Sequence, residues 1–166
     1  MSDTISNFDD LVDSRDVISR IEELESDRQS LVDMIAEAEE ELVDAVDDTS
    51  VIADFEPNIV DKLKEEIEES RKELEEWDES DDAEELEILK SLAEEASYSP
   101  DWAYGKTLIR DSYFEEYAQQ LAEDIGAINR EASWPNDCID WSQAAEELQQ
   151  DYSSVDFDGE TYWIRS

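Results

Sequence analysis

The stretch SVDFDGETYWIR, residues 154–165, decides the fold class. It holds two runs of alternating apolar and polar residues around Asp158-Gly159, the dipeptide that a tight primed turn prefers. The spacing therefore predicts a C-terminal β-hairpin. A chain that closes on a hairpin is not all-helical, whatever lies upstream.

Working back from the hairpin, residues 98–166 read as a small aromatic-rich α+β domain with two helices. Ser112 with Glu115 has the pattern of a capping box, and Phe114, Tyr117, Ala118, Leu121, Ala122 and Ile125 then fall on one helical face. Gly126 stands where a C-terminal cap belongs. A second helix is expected from Asp140, with Gln143 three residues on and Trp141, Ala144, Ala145 and Leu148 inward. Thr107-Leu108-Ile109 reads as a short strand. Four of the five Trp and all six Tyr lie after residue 97, so this domain is expected to have an aromatic core. Ser97-Tyr98-Ser99-Pro100 marks its start, a turn-like run that a helix crosses poorly.

Residues 1–97 read as an acidic helical hairpin or coiled coil. Val17, Ile21, Leu24, Leu31, Ile35, Ala38, Leu42 and Ala45 step by three, four and seven, with Arg28 in one slot, which keeps a single seam on one face. Ser14 is the expected N-cap. Asp47-Asp48-Thr49-Ser50 and Pro57 break the pattern. It resumes at Val60, Leu63, Ile67, Leu74 and Trp77, with Ser70 in the seam. After a break at Ser80-Asp81-Asp82, Asp81 and Glu84 are expected to cap a third helix through Leu86, Leu89, Ala93 and Ala96. The first helix, at ~50 Å, outruns the second, which favours a homodimer that covers the remainder.

Charge sets this chain apart. It carries 51 acids against 12 bases, a net charge of -39 over 166 residues. Residues 1–97 hold 36 acids and 8 bases, and residues 98–166 hold 15 and 4. Charge of this size opposes compaction by self-repulsion. It argues against direct binding to nucleic acid or an anionic membrane and for a basic partner. The 39% hydrophobic content and the aromatics exclude a merely solvating acidic tail. No apolar run approaches ~20 residues, and MSDTISNFDD lacks the order of a signal peptide, so a cytoplasmic protein is expected.

The residues offer little for catalysis. There is no histidine, hence no usual general base or commonest metal ligand. The single Cys138 has no such partner and reads as a small, partly buried apolar residue. Tyr104-Gly105-Lys106-Thr107 lacks the upstream glycine of a phosphate-binding loop and reads as a turn. Asp156-Phe157-Asp158-Gly159 lacks the later ligands of a calcium loop. No enzyme, cofactor or metal site is expected.

The candidate contact residues are therefore the acids themselves: Asp33, Glu37, Glu39, Glu40, Glu41, Asp44, Asp47 and Asp48, then Glu65, Glu66, Glu68, Glu69, Glu73, Glu75, Glu76, Asp78, Glu79, Asp81 and Asp82. Residues 33–48 carry eight acids in sixteen positions, about 3 Å of helix axis per charge. Laid beside the second helix, the pair would carry one net charge per ~2 Å, against ~1.7 Å for B-DNA. Such a rod could present to a DNA-binding groove what a phosphate backbone presents.

Phe114-Glu115-Glu116-Tyr117-Ala118, then Ala122-Glu123-Asp124-Ile125-Gly126-Ala127-Ile128, Ile139-Asp140-Trp141 and the closing hairpin resemble the C-terminal domain of the ArdA antirestriction family. The resemblance spans roughly residues 111–165. It implies a phage or mobile-element antidefence protein, an acidic dimer that mimics DNA in the site of type I restriction–modification enzymes and has no catalytic residues. The family's usual N-terminal α/β domains have no counterpart here; the acidic helices stand in their place. The target implied is thus a restriction–modification enzyme, a CRISPR effector or another DNA-binding defence complex, met in the host cytoplasm. Two other readings are an acidic coiled-coil adaptor that binds a protein through its C-terminal domain, and a halophilic protein whose charge serves solvation alone.

Overall fold

The hairpin forms where the dipeptide puts it. In the computed structural model, which describes residues 4–47 and 59–166, β3 (Tyr152–Phe157) and β4 (Glu160–Arg165) pair from Phe157 opposite Glu160 to Tyr152 opposite Arg165. Asp158 and Gly159 take φ of 49° and 81°, as a primed two-residue turn requires. β2 (Thr107–Arg110) lies antiparallel to β4. Beyond it is β1 (Leu11–Asp13), giving the antiparallel order β1-β2-β4-β3. The protein is α+β. β1 was not legible because three residues carry no measurable alternation, and they run straight into a helix.

α1 is Ser14–Asp47, α2 Ile59–Asp78, α3 Asp81–Ala96, α4 the single turn Trp102–Gly105, α5 Phe114–Asp124 and α6 Trp141–Leu148. Two compact units result, Met1–Ile21 with Ile88–Ser166, and Glu22–Glu87. α1 and α3 each contribute residues to both.

In the first unit the sheet is buried on both faces. One face carries Ile109 and Tyr152 against Phe114 and Ala118 of α5 and Ala145 of α6, with Tyr113, Tyr117, Leu148 and Trp163 packed around them. Phe114 meets Tyr152 edge-on, ring centres 5.2 Å apart, the arrangement aromatic quadrupoles favour. The other face carries Val12, Leu108, Val155, Phe157, Tyr162 and Ile164, all buried. The aromatic core is real but incomplete, since Trp134 is 79% exposed.

The helix ends differ instructively from expectation. α5 closes in a Schellman motif: Gly126 has φ 72°, its N–H donates to the Glu123 carbonyl, and the Ala127 N–H reaches the Ala122 carbonyl at 2.9 Å. Asp140 caps α6 by accepting the Gln143 N–H at 3.1 Å. No side chain caps α5, because Ser112 lies inside a tight turn, Asp111–Tyr113, and the cap position falls on Tyr113. Asp13, not Ser14, caps α1, its carboxylate accepting the Arg15 N–H at 2.8 Å. Ser14 is fully buried; its hydroxyl donates to the Trp102 carbonyl at 2.6 Å and accepts the Lys106 N–H at 2.7 Å. Ser80 takes the role expected of Asp81 and Glu84, accepting the Ala83 N–H at 3.3 Å one residue earlier. Cys138 is exposed rather than partly buried, at the end of a tight turn, Asn136–Cys138.

In the second unit the apolar seam lies where the spacing puts it. Leu24, Leu63, Ile67 and Ser70 are buried, and Leu31, Ile35, Ala38, Leu42, Ala45, Val60, Leu74 and Trp77 are half-buried. The guanidinium of Arg28 grips Asp78 with two hydrogen bonds of 2.7 and 3.1 Å, and Arg71 pairs with Glu39. Higher numbers on α1 meet lower numbers on α2, so the two helices run antiparallel. The expected break at residues 48–50 and Pro57 lies outside the described residues.

Candidate functional site

The acids of the second unit sort into three groups by where the seam turns them. On α1, Asp33, Glu37, Glu40, Asp44 and Asp47 each lie two residues beyond a seam residue: Leu31, Ile35, Ala38, Leu42 and Ala45. Two residues turn the helix by ~200°, so the five carboxylates form one stripe on the face opposite the seam. All five are exposed, and Glu41 flanks them. Between Arg28 and the end of α1 no base interrupts them.

The same step along α2 gives a different result. Two residues beyond Val60, Leu63, Ile67, Ser70 and Leu74 come Lys62, Glu65, Glu69, Lys72 and Glu76. The outer face of α2 therefore mixes signs, and Lys72 pairs with Glu76 at 3.6 Å. Glu66, Glu68, Glu73 and Glu75 are exposed on its flanks.

A third group stays at the surface but is tied to structural partners or helix ends. Glu39 and Asp78 hold Arg71 and Arg28 across the helix pair, and the hydrogen bonds from Arg28 keep the Asp78 carboxyl below its usual pKa. Asp81 and Asp82 occupy the first turn of α3, where negative charge complements the helix dipole. Glu79 is exposed at the junction just ahead of them. Asp48 lies outside the described residues. The structure thus brings five of the predicted acids into one uniform stripe and gives several others structural duties. Sequence reasoning missed Arg28 and Arg71 as cross-helix partners; the only signal was Arg28 standing in an apolar slot.

The ion pairs set α1 residues 33–47 beside α2 residues 61–75. Each stretch holds seven acids, and α2 adds four bases, leaving a net charge of -10. Over ~21 Å of axis that is one charge per ~2 Å, close to the ~1.7 Å of duplex DNA. Among the described residues no group of three or more Asp, Glu or Cys is placed to hold a metal ion, and no helix is long and apolar enough to cross a membrane.

No family model matches the chain, and neither the curated proteins nor the solved structures yield a match.

Proposed function

We propose that the chain is a charge-display protein, an antidefence inhibitor of the phage type that occupies the DNA site of a basic, nucleic-acid-binding protein. The observation that carries this reading is the uninterrupted stripe Asp33, Glu37, Glu40, Asp44 and Asp47. Charge serving only solvation needs no alignment, whereas a groove that reads phosphates needs anions at regular spacing on a stiff frame. The helix supplies the spacing, and the seam with its two cross-helix ion pairs supplies the stiffness. The acidic helical hairpin is then the display surface, and the aromatic α+β domain its scaffold or the contact of a homodimer.

The resemblance of residues 111–165 to the ArdA family points the same way, toward a stoichiometric inhibitor rather than an enzyme. Binding would set the five carboxylates against Lys and Arg of the target's groove and release the anions held there, so affinity should fall as salt rises. The partner class is a restriction–modification enzyme, a CRISPR effector or another DNA-binding defence complex.

The test is capture of bacterial proteins on the immobilised chain, elution by a salt gradient and identification by mass spectrometry. A parallel capture uses a variant with Asp33→Asn, Glu37→Gln, Glu40→Gln, Asp44→Asn and Asp47→Asn. DNA-binding proteins held by the native chain at moderate salt and missed by the variant support the reading. Equal retention by both chains, through high salt, assigns binding to the α+β domain and overturns it.

A further inference from the structure

The two edges of the sheet are treated differently. On β3 the outward N–H of Asp156 is taken by the Glu95 carboxylate of α3 at 2.9 Å, which blocks strand addition there. On β1, among the described residues, no side chain takes an outward backbone group in this way. The Ser14 N–H donates to Lys106 and the Arg110 N–H to Asp10, so residues 10, 12 and 14 face β2. In an antiparallel ladder the intervening groups point the other way. The N–H and C=O of Leu11 and the N–H of Asp13 therefore face away from the sheet, and among the described residues no backbone hydrogen bond reaches them.

A cleft of about 350 Å³ lies on that side. Among its lining residues are Leu11, Val12 and Asp13 in succession, Ile5 and Asp9, and Asp16 of the first turn of α1. Successive strand residues point to opposite faces. A cleft bounded by three in a row therefore runs along the edge of the strand. Leu11 is 45% exposed and offers apolar contact. Three of the nine lining residues are acids and one, Arg20, is a base; the Asp13 carboxylate is already paired with Arg15 at 2.6 Å, which leaves Asp9 and Asp16 to face an occupant. A second copy of a chain carrying -39 is disfavoured as occupant.

We propose that β1 accepts a strand from a partner protein: an extended segment with alternating apolar and basic side chains, hydrogen-bonded to Leu11 and Asp13. Backbone pairing supplies registry, and Asp9 and Asp16 select a cationic segment. This interaction is independent of the α1 stripe and engages the other compact unit.

The test uses the full-length, ¹⁵N-labelled chain and the synthetic peptide acetyl-Lys-Val-Lys-Val-Lys-amide. A second peptide has the same side chains but methyl groups on all its internal amide nitrogens, so it keeps the charge while the methyl groups hold its backbone away from the strand edge. Hydrogen exchange at the Leu11 and Asp13 amides should slow at least tenfold with the first peptide and stay unchanged with the second. Leu11→Pro removes the outward N–H without touching the ladder to β2 and should abolish the protection at Asp13. Equal effects of the two peptides, or protection confined to residues 22–87, would mean charge attraction alone and overturn the proposal. Equal protection by a Glu-Val peptide would overturn the cationic selection.

Discussion

Ser14→Ala is the sharpest test of how the first unit is held together. The Ser14 hydroxyl is fully buried and makes two hydrogen bonds, to the Trp102 carbonyl at 2.6 Å and from the Lys106 N–H at 2.7 Å. It fastens the start of α1 to the turn that precedes β2. Alanine removes both bonds and leaves two backbone groups without partners, at ~1–3 kcal/mol for each such group when buried. The Lys106 N–H is only partly buried, so the loss should be about 2–4 kcal/mol in total. At ~2–4 °C per kcal/mol for a chain of this length, Tm should fall by roughly 5–15 °C. Near-ultraviolet circular dichroism is the assay, because Trp102 and Trp163 both lie in this unit. Ser30→Ala is the control: its hydroxyl is exposed and donates within one helix to the Ser26 carbonyl, so Tm should barely move. A Ser14→Ala shift no larger than that of the control refutes the reasoning.

The remaining predictions concern backbone and titration. Gly105 has φ 104°, and a Cβ there would lie 2.8 Å from Arg15 Nε; Gly105→Ala should cost ~1–3 kcal/mol by urea unfolding. Gly159 has φ 81° with nothing within 4 Å of such a Cβ, so Gly159→Ala should cost only the left-handed backbone, ~1–2 kcal/mol. Burial pushes the Tyr162 hydroxyl up to about 12, from an ordinary value near ~10. Its contribution is full below the unfolded value and is lost as pH rises from ~10 toward the folded one. Tm should fall over that window, and Tyr162→Phe should flatten the fall. Asp78 is held low by Arg28; its contribution is present above the unfolded carboxylate value and lost as pH falls through the depressed one. Asp78→Asn should thus lower Tm slightly at neutral pH and converge with the native chain in strong acid.

The sequence disclosed the fold where local chemistry was sufficient. Asp158-Gly159, Gly126 and Asp140 each act within four residues, and each sits as its pattern required. The helical seam was legible because its period repeats over many turns. β1 escaped notice because its pairing with β2 spans nearly a hundred residues and its three residues carry no period. Ser14 was misassigned for a related reason: its partners, Trp102 and Lys106, are distant in sequence, so a capping residue and a buried anchor look alike. The acids were visible as a total but not as a surface. Only the seam direction separates the stripe on α1 from Glu39 and Asp78, which hold the helices together, and from the mixed face of α2.

The most direct measurement of the central claim is a competition. A captured DNA-binding protein is mixed with labelled duplex DNA and titrated with the native chain or the five-residue neutral variant, at two salt concentrations. The native chain should displace DNA stoichiometrically, less well at the higher salt, while the folded variant fails to do so. Displacement by both chains alike, or a ternary complex in which DNA stays bound, would contradict it.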